Sequence, residues 1–363
     1  MADTQNVKLA GAPEDYERLH MTPDIQMWED GMHTDGGCGN FEWWYFDSVL
    51  AGGGNLVVSF QTKSLTTAQL PLMPQISFEY NAGDKRVSKM VMFKPEEFSA
   101  SKAKADVVIG KNTFKGDLKH YEIHFEADGV SADILLENTI PSWRPKTGYL
   151  CFGEDKYYAW FVGTPEGRVS GTVTIDGETF ELSGTGYHDH NWGNCNLPEL
   201  QHHWYWGRGK IGDYMLINAY NYATKEYGYY NFPVFMLAKD NKILADDTQY
   251  MTFHEEEQLI DEVTGKPYHK RLVYDYNDGK QHYNLTYVVD QVIVRTKLTD
   301  ELPEAAREAA VKAGVDSAYL RFAGTGTLTR YEGDQIVEQV ESPALWEEMY
   351  FGKSLFNYEY RND

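Results

Sequence analysis

Two short segments concentrate residue types that are costly to bury and useful in chemistry. The first is Gly39-Asn40-Phe41-Glu42-Trp43-Trp44-Tyr45-Phe46-Asp47. In a strand, alternation sets Glu42, Trp44 and Phe46 on one face and Phe41, Trp43, Tyr45 and Asp47 on the other, so each face carries an acid beside large rings. A carboxylate buried among rings is driven toward its neutral form, the condition for an acid that donates a proton. The second segment, Gly184-Thr185-Gly186-Tyr187-His188-Asp189-His190-Asn191-Trp192-Gly193, sets His188, His190 and Trp192 on one face and Tyr187, Asp189 and Asn191 on the other. His202-His203-Trp204-Tyr205-Trp206-Gly207-Arg208 follows closely.

Each segment has a plainer reading. Large aromatics pack well on sheets, and Glu42 or Asp47 can simply bond a backbone amide or an arginine. His188 and His190 could ligate one ion with His202, His203 or Asp189 completing it, but imidazoles bonded to carboxylates and backbone are the commoner arrangement. A cupin-type site would need a glutamate soon after the His-x-His pair, and Glu199 lies beyond Pro198. No metal is expected. Ser183 stands outside any GxSxG elbow, no cysteine has the signature of a catalytic thiol, and Gly52-Gly53-Gly54 reads as a hairpin turn. With no phosphate-cradling loop, no nucleotide cofactor is expected. What remains is an aromatic pocket with His, Asp, Glu and Tyr as proton-transfer groups and tryptophan faces able to stabilise developing positive charge by about 2 kcal/mol or more where water is excluded.

The elements that must position these residues are almost all strands. Leu56 to Phe60, Val87 to Phe93, Asp106 to Ile109, Tyr121 to Phe125 and Ile134 to Leu136 are short apolar or alternating runs. Val169, Gly171, Val173 and Ile175 alternate with polar partners, Asp176-Gly177 supplies a turn, and Phe180 and Leu182 continue the apolar face. The second half repeats this grammar at Tyr214 to Ile217, Phe232 to Leu237, Arg271 to Tyr276, Tyr283 to Val289, Val292 to Val294 and Thr325 to Leu328, with turns at Asp278-Gly279 and Glu332-Gly333-Asp334. One helix is predicted over Asp300 to Ala313, ended by Gly314, and a helical turn after Ser342-Pro343. The Gly- and Asn-rich stretch from Gly193 to Pro198 is the expected boundary between two antiparallel β domains, residues 30–194 and 195–363. Closing each sheet into a barrel would protect its edges.

Composition narrows the partners. The 33 Lys+Arg against 55 Asp+Glu leave a formal charge of −22, which repels phosphate backbones and anionic membrane faces. Nucleic acid is therefore not an expected partner, and no apolar run is long enough for a spanning helix. Met1 to Lys8 is polar and lacks the order of a secretory signal. Cys38, Cys151 and Cys195 are an odd count without CxxC spacing and are expected to be reduced, consistent with a cytoplasmic location. The 26 Tyr, 17 Phe and 9 Trp again favour strands.

The pairing of Glu42-Trp43-Trp44-Tyr45-Phe46-Asp47 with Gly186-Tyr187-His188-Asp189-His190-Asn191-Trp192-Gly193, in that order, resembles the AttH-like, CrtC-like lipocalin family. That family includes carotenoid 1,2-hydratase (hydroxyneurosporene synthase), kievitone hydratase and fungal decalin-forming Diels-Alderases. The resemblance runs from about Gly39 to about Gly352 and implies two tandem lipocalin-like β-barrels with a ligand cavity at or between them. It implies proton delivery and cation stabilisation for His190 and Trp192. A downstream Tyr-x-Asp pair of the carotenoid hydratases is not evident, the nearest candidate, Tyr220-Asn221-Tyr222, lacking the acid.

The expected activity is hydration, dehydration or isomerisation of a C=C bond in a hydrophobic, terpenoid- or polyketide-like molecule. Asp189 or Glu42, kept protonated by burial, would be the acid, and His188 or His190 would deliver or deprotonate water. Trp43, Trp44, Tyr45, Tyr187, Asn191, Trp192, Trp204 and Trp206 would bind the substrate. Two alternatives use the same pocket: a pericyclase, which folds a polyene and polarises a carbonyl without an acid able to protonate carbon, and a carrier with its carboxylates salt-bridged.

Overall fold

The computed structural model describes residues 7–355 apart from Ala313, so Met1–Asn6 of the polar N-terminus, the last residue of the predicted helix and residues 356–363 of the second predicted domain lie outside the described residues. Two compact units divide between Leu197 and Pro198. Both are antiparallel β-sheets, and no helix among the described residues is long and apolar enough to cross a membrane.

The sheet of the first unit runs, edge to edge, through Lys85–Met92, Gln75–Ala82, Asn55–Gln61, Phe41–Leu50, Glu178–Gly193, Lys156–Ile175, Val130–Asn138, His120–Ala127, Asn112–Gly116, Asp106–Ile109 and Phe98–Ala100. Its curl follows from one pair of rings. Phe78 and Phe125 sit on strands six steps apart, about 29 Å if the sheet were flat at ~4.8 Å per step, yet their rings stack with centroids 4.5 Å apart. The sheet therefore rolls around a single core of inward residues that includes Phe46, Val58, Ile76, Val107, Phe114, Ile134 and Val169. Asp176 and Gly177, at φ 50° and 84°, make the tight turn that the sequence predicts between its two longest strands.

The second unit repeats the scheme with nine strands, in the order Lys242–Ala245, Asn231–Lys239, Tyr214–Ala223, Gln201–Ile211, Gln335–Tyr350, Ala318–Glu332, His282–Thr296, Pro267–Asn277 and Met251–Ile260. Here Tyr220 and Phe253, again six strands apart, stack at 3.9 Å. Two lipocalin-like, half-barrel sheets in tandem are thus the architecture.

The helical content differs in detail. Leu298–Glu301 is a 3-10 turn and the α-helix covers Glu304–Lys312, with Gly314 at φ 84° just beyond. No helical turn follows Ser342-Pro343: both residues lie within Gln335–Tyr350, where pairing with Gly326 and Thr325 carries the strand straight through. A short helix at Pro13–Arg18 has no apolar periodicity to announce it.

If the rolled sheet depends on its buried ring pairs, Phe78→Ala lowers unfolding free energy by about 3–5 kcal/mol, read as a fall in urea midpoint at unchanged m-value.

Candidate active site

Register brings the two motifs together. Across the ladder of Phe41–Leu50 and Glu178–Gly193, His188 lies opposite Phe46, His190 opposite Trp44 and Trp192 opposite Glu42, all of them buried. The end of the barrel they occupy is closed by a 3-10 turn, Met27–Asp30, whose last residue the sequence reading had passed over.

Asp30 collects donors from two strands. Tyr121 donates its hydroxyl to Oδ2 at 2.7 Å, and His188 Nε2 stands 3.1 Å from the same oxygen. His190 Nδ1 lies 3.4 Å from Oδ1. Glu42 is held as closely: it accepts from the backbone N–H groups of His33 at 2.8 Å and Thr34 at 2.9 Å, from the Thr34 hydroxyl at 2.7 Å and from His190 Nε2 at 2.8 Å. Burial alone would raise both carboxyls, but the facing imidazoles and these hydrogen bonds reverse it, and both pKa values are lowered. Burial likewise opposes charge on His190, yet its bonds to Asp30 and Glu42 raise it. These donors and the facing imidazole hold Glu42 below its ordinary range, against the neutral acid expected from the sequence; two of the donors are backbone N–H groups, which a list of side chains does not reveal.

Rings complete the enclosure. Trp44 stacks on His190 at 4.5 Å and donates its indole N–H to the Asp30 carbonyl at 3.2 Å. Trp192 flanks His190 at 4.8 Å and is itself covered by His33, ring on ring at 3.8 Å. Burial, together with the charge on His190, pushes His33 down to about 4. Gly163 has no room for a side chain: a Cβ there would lie 2.5 Å from both the His188 ring and the Tyr121 hydroxyl.

Asp189 belongs to the opposite face of the same strand. Its Oδ2 accepts from the Tyr187 hydroxyl at 2.8 Å and Trp160 Nε1 at 2.9 Å, and its Oδ1 accepts from Asn191 Nδ2 at 2.8 Å. Tyr158 donates to Asn191 Oδ1, which fixes the amide so that its NH₂ group points at the acid. Even so, burial outweighs these donors and raises Asp189 to about 6. At 9% exposure it is the most accessible acid of either motif's buried set, where Glu42 has 0%. Tyr45 and Trp43 share this outer face, the Tyr45 ring 6.5 Å from Tyr187, while Trp160 meets Trp143 edge to face at 5.8 Å.

The predicted site residues thus fall into separate places. Glu42, Trp44, His188, His190 and Trp192 meet inside the barrel; Trp43, Tyr45, Tyr187, Asp189 and Asn191 lie on its outer face; Trp204 and Trp206 stand half-buried in the second unit. Within the first unit the two sets lie on opposite faces of the sheet, because a strand sends neighbours to opposite faces. Asp30, His33, Thr34, Tyr121, Tyr158 and Trp160 were missed; the acids and rings of Met27-Trp28-Glu29-Asp30 were the available signal for the first. Among the described residues, no group of three or more His, Cys, Asp or Glu could hold a metal ion.

The inner cluster sets a pH dependence of stability. Asp30 and Glu42, lowered in the fold, stabilise it above their unfolded values near 4 and lose that contribution as pH falls through the folded values. His190, raised, stabilises below 6.5 and loses its contribution as pH rises through its folded value. Asp30→Asn strips one side of a buried ion cluster and is expected to cost about 3–5 kcal/mol at neutral pH; denaturant melts across pH should show a shallower acid limb in the variant.

The model of a domain of unknown function (DUF7064) matches residues 80–256. The chain is 26% identical over 195 residues to the quinolone epoxide rearrangement protein asqO of Emericella nidulans, covering 49% of this chain and 53% of that protein. It is 25% identical over 205 residues to hydroxyneurosporene dehydrogenase of Chlorobaculum tepidum, covering 47% and 53%. It spans about half the length of the curated relatives it matches. Among solved structures, CghA with Sch210972 superposes with a TM-score of 0.59 at 13% identity, over 86% of this chain and 89% of that one. Sequence matches and fold agree with the paired motifs in their similarity to AttH/CrtC-like, lipocalin-type proteins.

Proposed function

We propose that this chain is an enzyme that hydrates, dehydrates or isomerises a C=C bond in a hydrophobic terpenoid- or polyketide-like small molecule, with Asp189 as the acid. The observation that carries this is Asp189 itself. It is a carboxyl raised to about 6 among Tyr45, Tyr187, Trp143 and Trp160 on a face where it retains some exposure. Names of relatives lend support, since rearranging an epoxide, as asqO is named for, is a reaction that acid promotes. The three cysteines are thiols, in keeping with a cytoplasmic enzyme.

The chemistry follows from the hydrogen bonds. Neutral Asp189 carries its proton on Oδ1, because Oδ2 is the oxygen that takes two donors. Transfer of that proton to one alkene carbon forms a C–H bond and leaves a cation on the other carbon. The new carboxylate is stabilised by the O–H of Tyr187 and the N–H groups of Trp160 and Asn191, donors already in place before charge develops. The π-faces around it favour the cation. Addition of water, followed by return of its surplus proton to Asp189, completes hydration. Loss of a proton from a neighbouring carbon to Asp189 instead gives the isomer, and the reverse of hydration is dehydration. His188 and His190, expected to handle water, have their nitrogens turned toward Tyr45 C=O, Asp30 and Glu42 within the barrel, so in this reading they support the strand and not the reaction.

Incubation with hydrophobic metabolites followed by mass spectrometry identifies the substrate: a product changed by one water is expected for hydration or dehydration, and an isomer for isomerisation. An unchanged retained compound means a carrier and overturns the enzyme reading. With that substrate, kcat/KM is expected to be level below about pH 6 and to fall above it, as the acid loses its proton. Asp189→Asn should lower kcat about 100-fold or more while remaining folded. Cyclisation that survives this substitution would mean a pericyclase. Tyr187→Phe removes a donor to the carboxylate, so the descending limb moves to higher pH.

A further inference from the structure

One of the three donors to Asp189 is an amide, and an amide can present either of its ends. Asn191 is buried, and its Nδ2 donates to Asp189 Oδ1 at 2.8 Å. Turned over, the same side chain would set its C=O against that oxygen in nearly the same space. The two orientations act on the acid in opposite ways. With the NH₂ end inward, the amide favours the carboxylate and leaves the O–H of the neutral acid pointing away from Asn191. With the C=O end inward, it accepts that O–H, which favours the neutral acid and ties up its proton. Neutral Asp189 gains more from the second arrangement, because a carboxylic O–H on an amide carbonyl is a better hydrogen bond than an amide N–H on a hydroxyl oxygen.

A group outside the pair selects the donor end. Tyr158 and Trp160 are two residues apart on Lys156–Ile175 and so share a face, Trp160 opposite Asn191 and Tyr158 opposite Gly193. Gly193 has no side chain to stand before the tyrosine, which reaches the diagonal neighbour instead, and its hydroxyl donates to Asn191 Oδ1. Turning the amide over would bring NH₂ against O–H, two donors face to face, unless the phenol proton swung out of its hydrogen bond. Burial and the nearby charge of Asp189 hold Tyr158 well above the ordinary phenol range, so that proton stays in place.

We propose that Tyr158 is a positioning residue: by holding the carbonyl end of Asn191 it keeps the donor end on Asp189 and leaves the Asp189 O–H free for the substrate. This role rests on Asp189 being the acid, and it adds what aims the proton. The other titratable groups about Asp189 are Tyr187 on its own strand, Tyr45 and Asp47 on the paired strand, and His188 on the far face. Tyr158→Phe leaves all of them in place and removes no atom that touches the carboxyl.

The test is a titration of the full chain carrying carbon-13 at its aspartate carboxyls, with the Asp189 signal identified by its loss in Asp189→Asn. The parent midpoint is expected at about 6. In Tyr158→Phe it should rise by about 0.5–1 pH unit, the worth of one hydrogen bond. With the substrate found as above, kcat on the acidic plateau should fall about 3- to 10-fold at unchanged KM, because the proton must first leave Asn191. In an Asn191→Ala background, where no amide can turn, the same replacement should change neither value. An unmoved midpoint in Tyr158→Phe, an unaltered plateau, or an equal shift in the Asn191→Ala background would overturn the proposal. The titration needs no substrate, so it stands apart from the fate of the catalytic reading: if Asp189→Asn keeps full activity, that reading fails, while the midpoint still reports which end of Asn191 faces the carboxyl.

Discussion

The first unit depends on the pairing of one buried carboxylate, Asp30, with His188, His190 and Tyr121. A lone charge in a protein interior is costly enough that it must be matched or removed. Asp30 arrives on a turn of four residues and the imidazoles on a long central strand, so matching the charge fixes where the turn sits on the barrel. Glu29 strengthens the placement from the next residue through a buried, two-point ion pair with Arg144, and its carbonyl meets His33 Nε2 at 3.0 Å. His33 then lies flat over Trp192, and the barrel end is closed.

That closure gives the two faces of one strand different surroundings. Residues 188, 190 and 192 point inward and are spent on stability, their nitrogens facing carboxylates, a carbonyl or a tyrosine. Residues 187, 189 and 191 point outward and carry the acid with two of its donors. Because the inner set is fixed by charge, the outer set is fixed in register, to the precision of a pleat. A strand pinned on one face is a rigid support for chemistry on the other.

Much of the fold was legible because its signals are local. Asp106–Ile109 and the turn at Asp176-Gly177 can be read from alternation and from a residue pair that tolerates positive φ. The strand through Ser342-Pro343 was not, because proline chemistry argues for a break and only the pairing with Gly326 and Thr325 overrules it. For the candidate site, residue types singled out two strands that the register pairs side by side, and alternation already separated Asp189 from His188. What the sequence withheld was everything contributed from a distance: Asp30 and Tyr121 lie 158 and 67 positions from His188 along the chain, and although the acids and rings around Asp30 are a signal, nothing in them names His188 as the partner. The backbone donors to Glu42 are invisible in a list of side chains for the same reason.

The contrast between Glu42 and Asp189 shows why burial alone does not make an acid. Both are removed from water, and both accept several hydrogen bonds, yet one is lowered and the other raised. The difference lies in what donates. Glu42 receives four donors, among them two backbone N–H groups and an imidazole whose own pKa is raised, so charge meets charge. Asp189 receives three neutral donors, and His188 acts on it only from the far side of the strand. Neutral donors soften the loss of hydration without cancelling it, which leaves a carboxyl able to exist in both protonation states near neutral pH. Had Arg144 stood behind Asp189 in place of Glu29, the same three donors would sit on a permanent carboxylate. The raised pKa of Asp189 therefore rests as much on where the basic residues stand as on the acid itself.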